Sequence, residues 1–257
     1  MLGKMRAAGR LVLVLSLLFL GLLAELFAFP LLDLRKKESC IRIWSRSVLW
    51  ACGIRIQVAG EPSLGAFLLA ANHASWLDIL TINSVQPAQF VAKAEIRDWP
   101  LVGLLVARAG THFIERTKRR AVHSVLQELV KALQAGRVVA VFPEGTTNDG
   151  TCLKPFHANF LQAALDAQVP LKPLGIRYEN ADGSLSSAIE YIGEMTFVAS
   201  MWQVLQLKVI VAKLNWGEPI VARGTRHALT AIAEASISDL SGLPRANTSA
   251  LASRHLG

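Results

Sequence analysis

The sequence predicts an α/β protein whose single mixed sheet is flanked by helices and preceded by an N-terminal membrane-associated helical pair. Beyond Gly53, short apolar runs of strand length alternate with segments of helical periodicity, which is typical of one sheet covered by helices. Before it, an apolar run of nineteen residues ends at Phe29. The 257-residue chain is 52% hydrophobic and 18% charged. Its mean hydropathy of +0.38 excludes disorder and implies a membrane.

The first predicted helix covers Leu11 to Phe29. Only three residues interrupt its apolar character: Ser16, Gly21 and Glu25. At about 1.5 Å per residue it is about 28 Å long, enough to cross a hydrocarbon core. A cleaved signal peptide is the competing interpretation, but no small-residue cleavage site follows Phe29. The sequence leaves open whether this helix spans the bilayer or dips in and returns.

Residues 35–51 form a second predicted helix with two distinct faces. At about 100° per residue, the basic face carries Arg35, Arg42 and Arg46. The opposite face is apolar and carries Cys40, Ile41, Trp44, Val48 and Ala51. This pattern suits a helix in the headgroup region, with its arginines toward anionic lipid. The alternative is an amphipathic helix packed on the core of the domain.

Positive charge is concentrated beside these helices. The chain holds 27 Lys and Arg against 19 Asp and Glu, a net charge of +8, and +6 of it lies in residues 1–60. Basic charge next to an apolar segment fits an anionic membrane surface better than nucleic acid, so we predict no nucleic-acid partner. The three cysteines have neither a close pair nor a metal-ligand spacing, which favours a reducing compartment.

The remaining chain alternates between strands and helices. Strands are predicted at 54–58, 67–71, 89–92, 112–114, 138–142, 171–178, 189–192 and 207–214. The helices with the clearest patterns cover 122–133 and 226–238. We therefore predict membrane-anchoring helices in residues 1–52, one catalytic domain in 53–240 and a C-terminal tail in 241–257.

A histidine and an aspartate five residues apart form the candidate catalytic pair. The buried strand at 67–71 is predicted to deliver His73 to its carboxyl end, where α/β proteins keep their sites. Asp78 begins the next helix, so a loop can fold its carboxylate onto the imidazole, fixing the tautomer and stabilising the imidazolium. No G-x-S-x-G elbow supplies a nucleophile. The attacking hydroxyl is therefore expected to come from a substrate.

Four ordered motifs resemble those of the glycerolipid acyltransferase family, whose best known members are the 1-acylglycerol-3-phosphate (lysophosphatidic acid) acyltransferases. They lie at Asn72–Asp78, Phe113–Arg116, Val141–Thr147 and Val169–Pro173. The resemblance extends from about residue 35 to about residue 193. It implies that His73, oriented by Asp78, deprotonates the acceptor hydroxyl for direct attack on an acyl thioester. Arg116 looks like the anchor for the acceptor's phosphate, a task that suits a guanidinium fork.

The resemblance also implies roles for the third and fourth motifs. Glu144, Gly145 and Thr146 match the block that helps to hold the acceptor. Pro170 matches the proline of an apolar block near the acyl chain. The family needs no metal and no prosthetic group, because acyl carrier protein or coenzyme A delivers the acyl group as a thioester co-substrate.

One departure from the family pattern concerns the acceptor. The third block usually reads E-G-T-R, and here Thr147 stands in place of the arginine. A missing cation weakens binding of a phosphate monoester, since one charge-assisted contact contributes roughly 1.5 to 3 kcal/mol. The E-G-T-T-x-D-G form is similar to a bacterial subgroup that includes lyso-ornithine lipid acyltransferases. Lys154 or the cluster at 116–120 is a candidate replacement for the lost charge.

The expected activity is therefore transfer of a fatty acyl group to the free hydroxyl of a lysolipid. The preferred acceptor is 1-acylglycerol 3-phosphate, and the alternative is lyso-ornithine lipid or another lysophospholipid. The expected location is a bacterial-type inner membrane, with the catalytic domain on the cytoplasmic side and membrane lipids as partners. A rival hypothesis from another class is a non-catalytic lipid-binding membrane protein, which would not need the His73 and Asp78 pair.

Overall fold

Seven strands form one mixed sheet in the computed structural model, which describes residues 2–99, 102–115, 119–193 and 195–246. They are β1 (Ile54–Ala59), β2 (Leu68–Ala71), β3 (Gln89–Lys93), β4 (His112–Ile114), β5 (Val139–Val141), β6 (Leu171–Asn180) and β7 (Ile210–Trp216). Their order is β1-β7-β6-β2-β5-β3-β4, in which β6 and β7 are antiparallel and every other neighbouring pair is parallel. The predicted α/β class and mixed sheet are confirmed.

The helices within these residues cover both faces of the sheet. They are α1 (Leu2–Leu23), α2 (Leu34–Cys52), α3 (Leu77–Asn83), α4 (Val102–Arg108), α5 (Arg119–Gln134), α6 (Gln162–Ala167), α7 (Phe197–Gln206) and α8 (Arg226–Ser241). One core cluster joins the sheet to α1, α2, α3 and α7, and the other joins it to α5, α6 and α8. Strand β2 serves both, because Leu69 and Ala71 face the first cluster while Leu68 and Ala70 face the second.

The strand predicted near 189–192 is wrong. Residues Ser187–Ile189 form a 3₁₀ turn instead, and Ile189 is buried in the core. Beyond Leu174, where pairing with β2 ends, this edge of β6 is taken by the turn that follows the strand, since Leu185 bridges to Glu179 and the Ser186 amide donates to the Tyr178 carbonyl. The strand expected from Leu207 begins only at Ile210, because α7 extends to Gln206 and the next residues close that helix.

The N-terminal apolar segment is helical well beyond the predicted bounds. Helix α1 continues into a π-helical turn (Ala24–Ala28) and a 3₁₀ turn (Phe29–Leu31). Gly3–Leu31 is the one helix in the described residues long and apolar enough to cross a membrane; an 18-residue window within it has a mean hydropathy of 2.6, and 11% of that window is buried. The segment is also tied to the domain, because Arg6 and Arg10 donate to the carbonyls of Gln206 (3.1 Å) and Leu207 (2.6 Å) at the end of α7.

Helix α2 confirms the alternative of a helix packed on the domain. Its C-terminal half contributes four buried residues to the core: Val48, Leu49, Ala51 and Cys52. The predicted orientation of Arg42 and Arg46 toward lipid is wrong, because their Nε atoms donate to the carbonyls of Val85 (3.1 Å) and Ser84 (2.7 Å) at the end of α3. Trp50, on the side of the helix away from its buried residues, is 72% exposed.

The predicted tail from Ser241 begins later than expected. Ser241 is the last residue of α8, and Leu243 is buried. Leu153 then pairs with the chain on both sides of Arg245, donating to the Pro244 carbonyl at 2.8 Å and accepting from the Ala246 amide at 2.9 Å. Burial of Leu243 and this short ladder hold the chain in place as far as residue 246; residues 247–257 lie outside the described ranges.

Candidate active site

The end of β2 delivers His73 to the carboxyl edge of the sheet. All four residues of β2 are buried, and Asn72 follows with 1% of its surface exposed. The Asn72 side chain pairs with the backbone of Ile176 in β6, donating from Nδ2 to the carbonyl (2.8 Å) and accepting at Oδ1 from the amide (2.7 Å). The Asn72 side chain thus makes the hydrogen bonds to β6 that the backbone of a strand would make, and the main chain can turn away from β6 at His73.

His73 and Asp78 meet as the sequence predicts. The Nδ1 atom of His73 lies 2.8 Å from Oδ2 of Asp78, which also accepts from the amides of Ala74 (2.8 Å) and Ser75 (2.9 Å). An ionised carboxylate only accepts, so the proton lies on Nδ1 and the lone pair on Nε2. Asp78 is fully buried, whereas 18% of the His73 side chain is exposed. The ring of Phe142 stacks on the imidazole, with the two centroids 4.0 Å apart. This arrangement leaves Nε2 able to accept a proton from a hydroxyl.

Tyr178 completes the environment of Asp78, and the sequence analysis missed it. Its hydroxyl donates to Oδ1 of Asp78 at 2.7 Å and lies 3.2 Å from the Thr81 hydroxyl. Burial and the negative charge of Asp78 hold the pKa of Tyr178 well above its ordinary value, so the phenol stays protonated. One signal was available in the sequence. A tyrosine in a buried strand must find a partner for its hydroxyl.

Glu144 follows β5 and clamps the backbone of His73. Its Oε1 accepts from the His73 amide at 2.7 Å, while Oε2 accepts from the Asn148 side chain and from the Lys154 amide (2.9 Å). Burial raises the pKa of Glu144 above its ordinary value, and these hydrogen bonds oppose the shift. Because both oxygens are occupied by donors of the protein, contact between Glu144 and the acceptor stays a prediction.

Sequence comparison identifies proteins of the same kind. Residues 55–177 match the family described as Acyltransferase. The chain is 33% identical over 192 residues to the lyso-ornithine lipid O-acyltransferase of Pseudomonas aeruginosa, covering 75% of this chain and 74% of that protein. It is 34% identical over 174 residues to the 1-acyl-sn-glycerol-3-phosphate acyltransferase of Neisseria meningitidis serogroup B, covering 66% and 68%. The chain belongs to the acyltransferase family.

The fold agrees with this family. The 1-acyl-sn-glycerophosphate (LPA) acyltransferase PlsC from Thermotoga maritima superposes with a TM-score of 0.64 at 22% identity, over 91% of this chain and 97% of that one. The predicted family is therefore confirmed, and the protein is a lysolipid O-acyltransferase. Its relatives divide between lyso-ornithine lipid and 1-acylglycerol 3-phosphate as the named acceptor.

The loop of this acyltransferase after Glu144 carries the residue that departs from the family pattern. Gly145 adopts a positive φ of 74°, and Thr146 is exposed. The hydroxyl of Thr147 donates to the carbonyl of Tyr191, so its side chain is turned into the protein. The Lys154 ammonium donates to the Thr147 carbonyl at 3.0 Å. A lysine from the following segment thus brings positive charge to the position where the family has arginine.

One predicted site residue lies outside the described residues, and another lies away from His73. Arg116 lies outside the described residues. Pro170 lies at the amino end of β6, where its carbonyl accepts from the Leu68 amide at 3.0 Å. Because β2 and β6 are parallel, this position is at the opposite edge of the sheet from His73. The structure therefore does not join Pro170 to the site.

Proposed function

We propose that this membrane-associated acyltransferase uses His73 as the general base for acyl transfer from a thioester of acyl carrier protein or coenzyme A to a lysolipid hydroxyl. The observation that carries the proposal is the imidazole held at Nδ1 by buried Asp78 while 18% of the His73 side chain stays exposed. Nε2 accepts the hydroxyl proton as the oxygen attacks the thioester carbonyl. The C–S bond then breaks, and the imidazolium returns the proton to the departing thiolate. Asp78 stabilises the imidazolium in between.

The proposed acceptor is 1-acylglycerol 3-phosphate, which gives phosphatidic acid. The cation of Lys154, 3.0 Å from the Thr147 carbonyl, supports binding of a phosphate monoester at this loop. The 34% identical relative named for this acceptor supports the same assignment. Arg116, Gly145 and Thr146 are proposed to complete the headgroup site.

Lyso-ornithine lipid is the second candidate acceptor, and a specific observation favours it. Thr147 brings no charge to the loop, and its hydroxyl is engaged by Tyr191. A zwitterionic aminolipid requires less positive charge than a phosphate monoester does. The 33% identical relative named for this lipid also supports lyso-ornithine lipid as the acceptor.

Residues 1–52 are proposed to anchor the enzyme to a bacterial-type inner membrane, with the catalytic domain on the cytoplasmic side. The apolar helical stretch and its low burial support the anchor. The concentration of positive charge in residues 1–60 supports an anionic surface as its target. The cytoplasmic side is where both thioester donors are expected.

The test uses the purified full-length protein in lipid micelles with labelled acyl thioester and a panel of lysolipids. We expect turnover in the wild type and a loss of about 10²- to 10⁴-fold for His73→Ala, the usual contribution of a general base. The matched control is His227→Ala, which removes an exposed histidine from α8. Turnover that survives His73→Ala would refute the mechanism. Turnover of lyso-ornithine lipid alone would replace the first acceptor by the second, and lipid binding without any turnover would support the non-catalytic rival.

A further inference from the structure

We propose that Tyr178 is a positioning residue that fixes the Asp78 carboxylate and thereby sets the orientation and basicity of His73. The proposal rests on the proposed acyl transfer and extends it to a residue of β6, a hundred positions along the chain from Asp78. Tyr178 lies just beyond the segment that matches the acyltransferase family, which ends at residue 177. Its assignment therefore comes from the geometry alone.

The Asp78 carboxylate is bound at both oxygens by different parts of the fold. Oδ2 accepts from Nδ1 of His73 and from the amides of Ala74 and Ser75, while Oδ1 accepts from the Tyr178 hydroxyl, near the carboxyl end of β6, at 2.7 Å. Asp78 has no exposed surface, and Tyr178 is 2% exposed. Without the phenol, Oδ1 would be a buried acceptor with no donor among the contacts of the described residues, and such an acceptor is costly.

The direction of the hydrogen bonds follows from what each group can donate. Asp78 only accepts, so the Tyr178 proton points toward it, and the Thr81 hydroxyl must donate to the Tyr178 oxygen. The resulting series of hydrogen bonds runs from Thr81 through Tyr178 to Asp78, which also accepts the Nδ1 proton of His73. The raised pKa of Tyr178 keeps this donor in place across the range in which an imidazole titrates.

Two consequences for the reaction follow. First, the terminal torsion angle of an aspartate side chain can take a broad range of values. A donor on each oxygen restricts this rotation, so Oδ2 stays directed at Nδ1. Second, donation by the phenol stabilises the ionised carboxylate in a site that water does not reach. Both effects keep the carboxylate in the orientation and charge state that the proposed mechanism requires. Among the described residues, the titratable groups bonded to this pair are Tyr178 from β6 and Glu144 from the loop after β5.

The test compares Tyr178→Phe with the wild type, because this change removes only the hydroxyl and keeps the buried ring. We expect kcat to fall by about 10- to 100-fold, the range for one unpaired buried acceptor, while KM for both substrates changes less than about twofold. We also expect the acidic limb of the pH profile of kcat/KM to move to higher pH. Without the phenol, the Asp78 carboxylate has one hydrogen-bond donor fewer. The pair then keeps its extra proton, on the carboxylate or on the imidazole, up to a higher pH, so the active state forms only at higher pH.

Two further variants separate positioning from packing. Thr81→Val removes the donor to Tyr178 and should move the acidic limb in the same direction by a smaller amount. Thr230→Val removes another buried hydroxyl, which donates within α8 on the other face of the sheet, and should leave kcat and the limb unchanged. A wild-type kcat with an unmoved limb in Tyr178→Phe would overturn the proposal.

An NMR titration of the His73 imidazole distinguishes this proposal from the proposed function. If the wild type acylates no lysolipid, the acyl transfer has failed, yet the titration still reports on the contact between Tyr178 and Asp78. We expect a different imidazole titration midpoint in Tyr178→Phe and an unchanged one in Thr230→Val. An identical midpoint in the wild type and Tyr178→Phe refutes the positioning role whatever the turnover.

Discussion

At the residue scale, two buried carboxylates hold His73 from opposite sides. Asp78 orients its ring through Nδ1, and Glu144 fixes its main chain through the amide. Each carboxylate is saturated by donors of the protein, so neither is free to move toward a substrate. In the proposed reaction the imidazole therefore carries the proton, while both carboxyl groups keep their positions.

The first residue-scale prediction concerns Glu144→Gln. The new amide group must face the His73 amide or the donors at Oε2, and a donor opposite a donor is repulsive. We expect the free energy of unfolding to fall by about 1 to 3 kcal/mol and kcat to fall because the His73 backbone is released. Urea unfolding and turnover measure the two effects. Glu218→Gln, at an exposed glutamate beyond β7, should change neither, and unaltered stability in Glu144→Gln would count against the clamp.

The second residue-scale prediction concerns the alkaline stability that Tyr178 confers. Its pKa in the folded protein lies above the unfolded value of about 10. Its contribution is therefore fully present below about pH 10 and is lost as the pH rises through the folded pKa. We expect wild type to be more stable than Tyr178→Phe by about 1 to 3 kcal/mol at neutral pH, with the gap closing above about pH 10. Chemical unfolding at a series of pH values measures the gap, and a constant gap would contradict the assignment.

The sequence predicts the contact between His73 and Asp78 but not the residues that surround this pair, and the difference has a physical cause. His73 and Asp78 lie five positions apart, so one loop suffices to join them. Tyr178 reaches Asp78 only because β6 pairs with β2. Neither strand's own pattern specifies that pairing. The same holds for Pro170, whose predicted place near the acyl chain depended on which end of β6 it occupies.

At the element scale, α2 connects the N-terminal helices to the helix that carries Asp78. Arg42 and Arg46 donate to the carbonyls of Val85 and Ser84, directly after the last residue of α3, where positive charge is favourable to the helix dipole. The helical period of α2 was readable from the sequence. Its partner was not, because an arginine face suits anionic lipid and helix carbonyls equally well.

This contact gives the element-scale prediction. The double change Arg42→Ala and Arg46→Ala should lower the free energy of unfolding by about 1 to 3 kcal/mol, since two carbonyls lose a charged donor. Arg35→Ala is the matched control, because Arg35 lies exposed in the first turn of the same helix. Urea unfolding and vesicle binding are measured for both. Unchanged stability with reduced binding to anionic vesicles in the double variant would favour the headgroup interpretation instead.

At the scale of the whole molecule, α1 presents two different faces. Ala7 and Val14, seven residues apart, are buried against the domain, while Val12 and Phe19, also seven apart, are 66% and 56% exposed. The first face and the arginines near it attach the helix to α7 and α2. The second face has no partner among the described residues. An exposed apolar stripe on a helix fixed to the domain is suited to a lipid surface.

The whole-molecule prediction concerns Val12→Ser combined with Phe19→Ser. These changes remove apolar area worth about 2 to 3 kcal/mol of transfer free energy, so partition onto vesicles should fall roughly 30- to 150-fold. Ile232→Ser, at a 54% exposed residue of α8 on the other side of the sheet, is the control and should bind as the wild type does. Sedimentation with phosphatidylglycerol vesicles measures binding.

Turnover should fall for an acceptor embedded in vesicles and persist for a short-chain lysolipid dispersed in water, because His73 and its neighbours are untouched. An equal loss on both acceptors would mean that the stripe supports the fold rather than the approach to the membrane.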